Sequence, residues 1–375
     1  MQANRLIHGL ASEKIRWFQA VEFLRRNELT LAGDVLLTTA FVSYAGIFPK
    51  RYRTHLMHKA WIPFLNGIST KAVLLSESYD PISLLADAAQ IATWNNEGLP
   101  ADRMSIENAG ILTTCERWPL LIDPQLQGLK WIKGHYGDRL QITSLGLKGF
   151  QEVLERCLRE GNVLLIENVY EELDSSLDPL MSRQFVKKGK AIKIDGKEVD
   201  LHPDFRLIIH SKLANPHFRP ELQAQATLLN FTVTRDGLEE QLLAEVVRAE
   251  RPDLENSRAE LVKQENDFKI ALKALEDDLL LRLSKAQGAF LADSQLVDSL
   301  EQTKATANDI TQRAAEAAQT AQAVNEFREL YRPAASRASL LFFIIGDLRQ
   351  LNPIYQFSLK SFIGVFQRYN VLLVI

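Results

Sequence analysis

Cysteine is scarce: only Cys115 and Cys157 occur in 375 residues. That excludes a disulfide framework and points to a reducing compartment, with both thiols expected as small buried hydrophobes. Basic excess is lacking too. Lys and Arg number 44 against 47 Asp and Glu, and the net charge of −3 argues against non-specific nucleic-acid binding. No long apolar run is present. Residues 338–345 fall far short of the roughly 20 that a bilayer span needs, so no membrane segment is expected. Arg5, Glu13, Lys14 and Arg16 interrupt any apolar core of a leader, so no signal peptide is expected either. His55 and His58 lie three apart without a third ligand in range, and no metal site is expected.

What is present centres on residues 118–131. Pro119 to Ile122 reads as a buried strand, followed by a loop and the start of a helix, the layout of a phosphate-binding loop. That loop type wants Gly, four residues, Gly-Lys, then Ser or Thr. Its glycines let backbone N–H groups close on phosphates, its Lys reaches the outer phosphates, and its hydroxyl holds Mg²⁺. Here Asp123 replaces the first Gly. Gly128 is followed by Leu129, Lys130 and Trp131, so the Lys slips by one and no hydroxyl follows. An acid in the cradle repels phosphate. The loop has the shape of a nucleotide site without its chemistry.

Residues 161–168 form a second apolar run, ending in Glu167 and Asn168. A parallel strand buried on both faces looks like this. A P-loop ATPase ends the strand in Asp-Glu, and the neutral amide of Asn168 cannot serve as general base. Asp204 to His210 is a third strand, and residues 211–215, with Ser211 and Asn215, follow where a polar sensor would face phosphates. Three strand ends thus converge at the C-terminal edge of a parallel sheet.

Residues 3–28 form an amphipathic helix, with Leu10, Trp17 and Leu24 seven apart. A second helix is expected from Leu31 to about Gly46. Pro49 to Arg53 reads as a basic, solvated turn. From Trp118 to about Thr234 strands and helices alternate, which gives a parallel α/β sheet flanked by helices. Asp195-Gly196, between two alternating runs, signals a β-hairpin. Beyond Pro252, Leu261, Phe268, Leu272, Leu275 and Leu279 follow in near-heptad order, and the pattern breaks around Gly288. Leu300, Thr303, Ala307, Ile310, Ala314, Ala317, Ala321 and Val324 then step by three and four, until Pro333. Two matched arms around a Gly-containing tip predict an antiparallel coiled-coil hairpin about 50 Å long. After it, residues 339–345 and 355–366 predict two apolar helices, a small helical subdomain at the hairpin's root.

Residues 98–108, 117–125, 213–221 and 230–243 are long, specific stretches. On them the chain resembles the fifth AAA+ module of a dynein heavy chain, closest to an axonemal outer-arm type, from near Asn4 to about Asn370. The resemblance implies a division into a stalk-helix base (1–30), an AAA+ large α/β subdomain (31–235), a buttress or strut hairpin (236–333) and a small helical subdomain with a divergent end (334–375). In that family the fifth module neither binds nor hydrolyses nucleotide, in agreement with the degenerate loops, so no cofactor is expected here and ATP with Mg²⁺ belongs to the parent motor. The implied partners are neighbouring AAA+ modules, the stalk, microtubules indirectly, and intermediate and light chains of the parent complex, in a cytoplasmic, axonemal setting. Arg219 stands where AAA+ modules place an arginine finger for the adjacent subunit. Phe290 and Leu291, at the tip, are candidates for stalk contact. Two other classes fit parts of the chain: a stand-alone AAA+ ATPase using Lys130 and Glu167, and a coiled-coil scaffold.

Overall fold

The computed structural model describes residues 2–68, 74–77, 79–186, 191–194, 196–285, 294–352, 354–355 and 357–373. One helix, Gln2–Ala40, opens the chain. The break expected between Glu28 and Leu31 is absent, because Glu-Leu-Thr-Leu holds no breaker and Gly33 serves another purpose. A Cβ at Gly33 would lie 2.2 Å from the Leu74 carbonyl oxygen, so the glycine permits a close crossing of two backbones. The Asp34 carboxylate secures that crossing, accepting from the Ser76 N–H at 3.0 Å and the Ser76 hydroxyl at 2.5 Å. The helix then widens into a π-turn, Phe41–Ala45.

The expected solvated turn at Pro49 to Arg53 is instead the start of a helix, Lys50–His55, and Arg53 is buried. Its guanidinium donates to the carbonyls of Phe48 and Gly46, to Asn108 and to Glu107. A buried guanidinium is tolerated when its donors are satisfied in this way.

Among the described residues eight strands follow: β1 (Trp118–Ile122), β2 (Leu140–Thr143), β3 (Val163–Ile166), β4 (Phe185–Val186), β5 (Ala191–Ile194), β6 (Lys197–Asp200), β7 (Arg206–Ser211) and β8 (Ala226–Asn230). Five make a parallel sheet in the order β2-β3-β7-β1-β8. Leu120 lies between Ile209 and Leu228, and Leu165 pairs with Ile208. Side chains alternate between two cores, as a period of two requires. Leu120, Ile122, Leu164 and Ile209 pack with Leu154 and Leu158 on one face. Leu121, Leu165, Ile208 and Leu229 pack with Trp131 and Ile132 on the other. The fold is therefore mixed α/β with a parallel sheet flanked by helices. The expected hairpin exists as antiparallel β5 and β6, with Ile194 opposite Lys197. β4 adds a third strand that the pattern did not reveal.

The two arms are helices Pro252–Lys285 and Ser294–Glu329, of 34 and 36 residues. They pack on each other, and Ala317 and Val324 are buried as the three-four stepping predicts. Helix Arg235–Glu250 packs with helices Arg332–Asp347 and Leu359–Leu373 around Leu238, Leu242, Phe342 and Phe362. Among the described residues no helix is long and apolar enough to cross a membrane.

Candidate functional site

The ends of β3, β7 and β1 lie side by side, so the three sequence-predicted loops meet at one edge of the sheet. Pairing continues past the strands: the Asp123 N–H donates to the Ser211 carbonyl at 2.9 Å, and the Val169 N–H to the His210 carbonyl at 2.9 Å. Asp123 is fully buried. Its carboxylate turns into the loop. Oδ1 accepts the Gln127 N–H at 3.0 Å and Oδ2 accepts the Leu129 N–H at 2.9 Å. These are first-turn donors of helix Gln127–Tyr136, where an anion is favoured. Burial pushes the carboxyl up to about 6, with the N–H groups of Leu129, Gln127, Gly128 and Leu126 pulling it down.

The loop is closed tightly. A Cβ on Gly128 would lie 2.9 Å from the Phe231 ring and 3.3 Å from Asp123 Oδ2. Leu126 takes a left-handed conformation, φ 62°, a strained state for a leucine. His210 lies behind the carboxylate, also fully buried, with Nε2 3.8 Å from Asp123 Oδ2. Neither of its ring nitrogens has a hydrogen-bond partner among the described residues. Burial first, with Lys212 and Lys133 assisting against Glu167, lowers His210 to about 4, so the ring is neutral at neutral pH.

Lys130 is exposed. It is Lys133, one turn further along the helix, whose Nζ comes within 2.9 Å of Glu167 Oε1. Both Lys133 and His210 escaped the sequence reading. The signal for Lys133 was available, since positions three apart share a helix face. Asn168 is exposed and left-handed, φ 58°, a conformation that asparagine tolerates better than most residues. Ser211 does not face an open site: its hydroxyl is buried and donates to the Val169 carbonyl at 2.6 Å. Asn215 is exposed, away from that buried cluster.

Arg219 precedes the short helix Pro220–Gln225, on the surface. Its guanidinium meets Glu172 at 2.5 Å rather than the nearer-in-sequence Glu221. Phe290 and Leu291 lie outside the described residues. Beyond its root on helix Arg235–Glu250, the hairpin makes further contacts along both arms. Its first arm packs along helix Ala88–Asn96, where the Asn266 amide donates to Asn96 at 3.0 Å and Asn96 donates to Asp267 at 2.9 Å. Its second arm touches helix Gln2–Ala40.

Residues 92–310 match the family described as ATP-binding dynein motor region, and residues 1–65 match the microtubule-binding stalk of dynein motor. A ciliary dynein beta chain of Tripneustes gratilla is 58% identical over 364 residues, 97% of this chain. Dynein axonemal heavy chain 9 of Homo sapiens is 56% identical over 366 residues. A flagellar outer-arm dynein alpha chain of Chlamydomonas reinhardtii is 45% identical over 370 residues. The chain spans about 8% of the length of these relatives.

Proposed function

The chain belongs to the dynein motor-region family, and on that premise we propose that it is a nucleotide-inert mechanical module of an axonemal microtubule motor, passing ring movements to the stalk. The observation that carries this reading is the bridge made by the hairpin. One arm is docked on the α/β body through Asn96 and Asn266, and the other reaches the first helix. A stiff pair of helices contacted along both arms transmits displacement, and a shift of one helix past another is a discrete change. Inertness is supported by Leu129 in the place of the loop lysine, by the missing hydroxyl and by a cradle already filled by Asp123. The pairing of Lys133 with Glu167 further removes a free base from the edge of the sheet.

In this reading residues 1–30 are the base of a stalk helix, 31–235 the large subdomain, 236–333 the strut and 334–375 the small helical remainder. Neighbouring modules and the stalk are its direct partners. Microtubules, intermediate chains and light chains are partners of the parent motor, and ATP with Mg²⁺ is that motor's cofactor. Arg219 serves the preceding module in trans. The strut is tested by replacing Phe290 and Leu291 with Ser in a whole motor head. The expected result is ATP turnover with weakened coupling between nucleotide state and microtubule affinity; unchanged coupling contradicts stalk contact at the tip.

A further inference from the structure

Loss of nucleotide chemistry commonly leaves a loop that is merely empty or collapsed. Here both oxygens of one carboxylate are wrapped by separate N–H groups, from Gln127 and Leu129, at 3.0 and 2.9 Å. Among the described residues no lysine or arginine pairs with Asp123; its only charged-type neighbour within 4 Å is His210. The loop therefore holds its anion with backbone donors, as phosphate cradles do. We propose that this cradle is an intact anion site whose ligand is the chain's own Asp123 carboxylate, a fixed stand-in for a phosphate, so that the site is latent and the module holds the occupied-loop conformation permanently. The proposal rests on the nucleotide-inert reading and explains how inertness is maintained.

Three further features fit. The chain closes around the carboxylate closely enough that Gly128 has no room for a Cβ. His210, fully buried and without a hydrogen-bond partner at either ring nitrogen among the described residues, brings Nε2 to 3.8 Å from the same carboxylate. It is a spare polar group that a larger, more highly charged anion could engage. Finally, Asp123 is tethered at the end of β1. Its effective concentration in the cradle is that of an intramolecular ligand, which a free phosphate must exceed while meeting like-charge repulsion. Without the carboxylate, the buried Leu129 N–H and the part-buried Gln127 N–H would lose their acceptor, a costly arrangement that an anion of the phosphate class would relieve.

The test uses the full 375-residue chain and its Asp123→Gly variant, with pyrophosphate as probe. Calorimetric titration is combined with hydrogen exchange at the Gln127 and Leu129 amides. We expect no binding by the parent chain up to millimolar pyrophosphate, and slow exchange at both amides. The variant should exchange about tenfold faster there, bind pyrophosphate saturably, and regain protection when it is bound. A folded variant that neither binds nor changes its exchange overturns the proposal. If Asp123→Gly does not fold, Asp123→Ala, which empties the cradle without adding glycine's backbone freedom, is titrated instead. Binding tighter than that of the parent chain supports the latent site, and no difference overturns it. The two claims fail separately: nucleotide binding by the parent chain overturns the inert reading, whereas silence of parent and variant alike overturns only the latent site.

Discussion

Glu255 and Arg328 stand at opposite ends of the hairpin sequence and meet in its buried root, with Arg328 Nε donating to Glu255 Oε2 at 3.1 Å. Their side chains are only 6% and 3% exposed. Burial lowers the Arg328 pKa, aided by the nearby Arg258, while Glu255 and Glu240 oppose that shift. The pair ties the first turn of one arm to the last turn of the other. Arg328→Met removes the hydrogen bond to the buried Glu255 and leaves it the Arg258 guanidinium at 3.6 Å, and should cost about 1–3 kcal/mol in urea unfolding. The double variant Arg328→Met, Glu255→Leu should recover much of that loss. Equal stability of the single and double variants contradicts the pairing.

His210 and Asp123 have opposite pH signatures. The depressed His210 pKa gives stability that is complete above about 6.5 and is lost as pH falls towards about 4. The raised Asp123 pKa gives stability that is complete below 3.8 and is lost as pH rises through about 6. Between pH 4 and 6 the two largely offset each other. Among the described residues neither ring nitrogen of His210 has a hydrogen-bond partner within normal geometry, and His210→Leu removes the first effect. Relative to the parent chain it should gain on the order of 2–3 kcal/mol as pH falls from 6.5 to 4. Denaturant unfolding at a series of pH values reads this directly, and parallel profiles for the two chains count against it.

Gly33→Ala places a methyl 2.2 Å from the Leu74 carbonyl oxygen. Backbone cannot yield as a side chain tip does, so the alanine should destabilise by about 1–3 kcal/mol despite its better helix propensity. Gly67→Ala is the control: a Cβ there meets nothing within 4 Å. Thermal unfolding should separate the two variants, and equal midpoints would falsify the close crossing.

Arg219 and Glu172 are about 70% exposed, and a pair of this kind contributes little stability. The guanidinium is thus easily released to a neighbouring phosphate. In a whole motor head, Arg219→Ala should weaken the nucleotide response of the preceding module, and Glu172→Ala should leave it intact or strengthen it. An unchanged response in Arg219→Ala removes the trans role.

Apolar pattern made much of this architecture legible. β1 and β3 read as runs buried on both faces because they are central or near-central strands of a parallel sheet. Ala307 to Val324 stepped along one face because that face meets the other arm. What stayed hidden was carried by polar residues in tertiary contacts. Asn266 falls outside the apolar stepping of the arm, yet it docks the strut on Asn96. Arg53 reads as part of a basic turn, yet it is buried against Glu107. Asp123 was legible as an obstacle to phosphate. That it occupies the cradle depends on a side-chain direction no spacing reveals, as does the pairing of Lys133, rather than Lys130, with Glu167. The expected start of a second helix at Leu31 is instead the interior of the continuous helix Gln2–Ala40, in which Gly33 is a contact.

The most direct measurement is titration of the purified, folded chain with a fluorescent ATP analogue and Mg²⁺, with phosphate release followed in parallel. A filled cradle without lysine or hydroxyl predicts no binding up to millimolar nucleotide and no turnover. Saturable binding lost in Lys130→Ala or Lys133→Ala, and above all turnover, would contradict the mechanical reading and make the chain an ATPase.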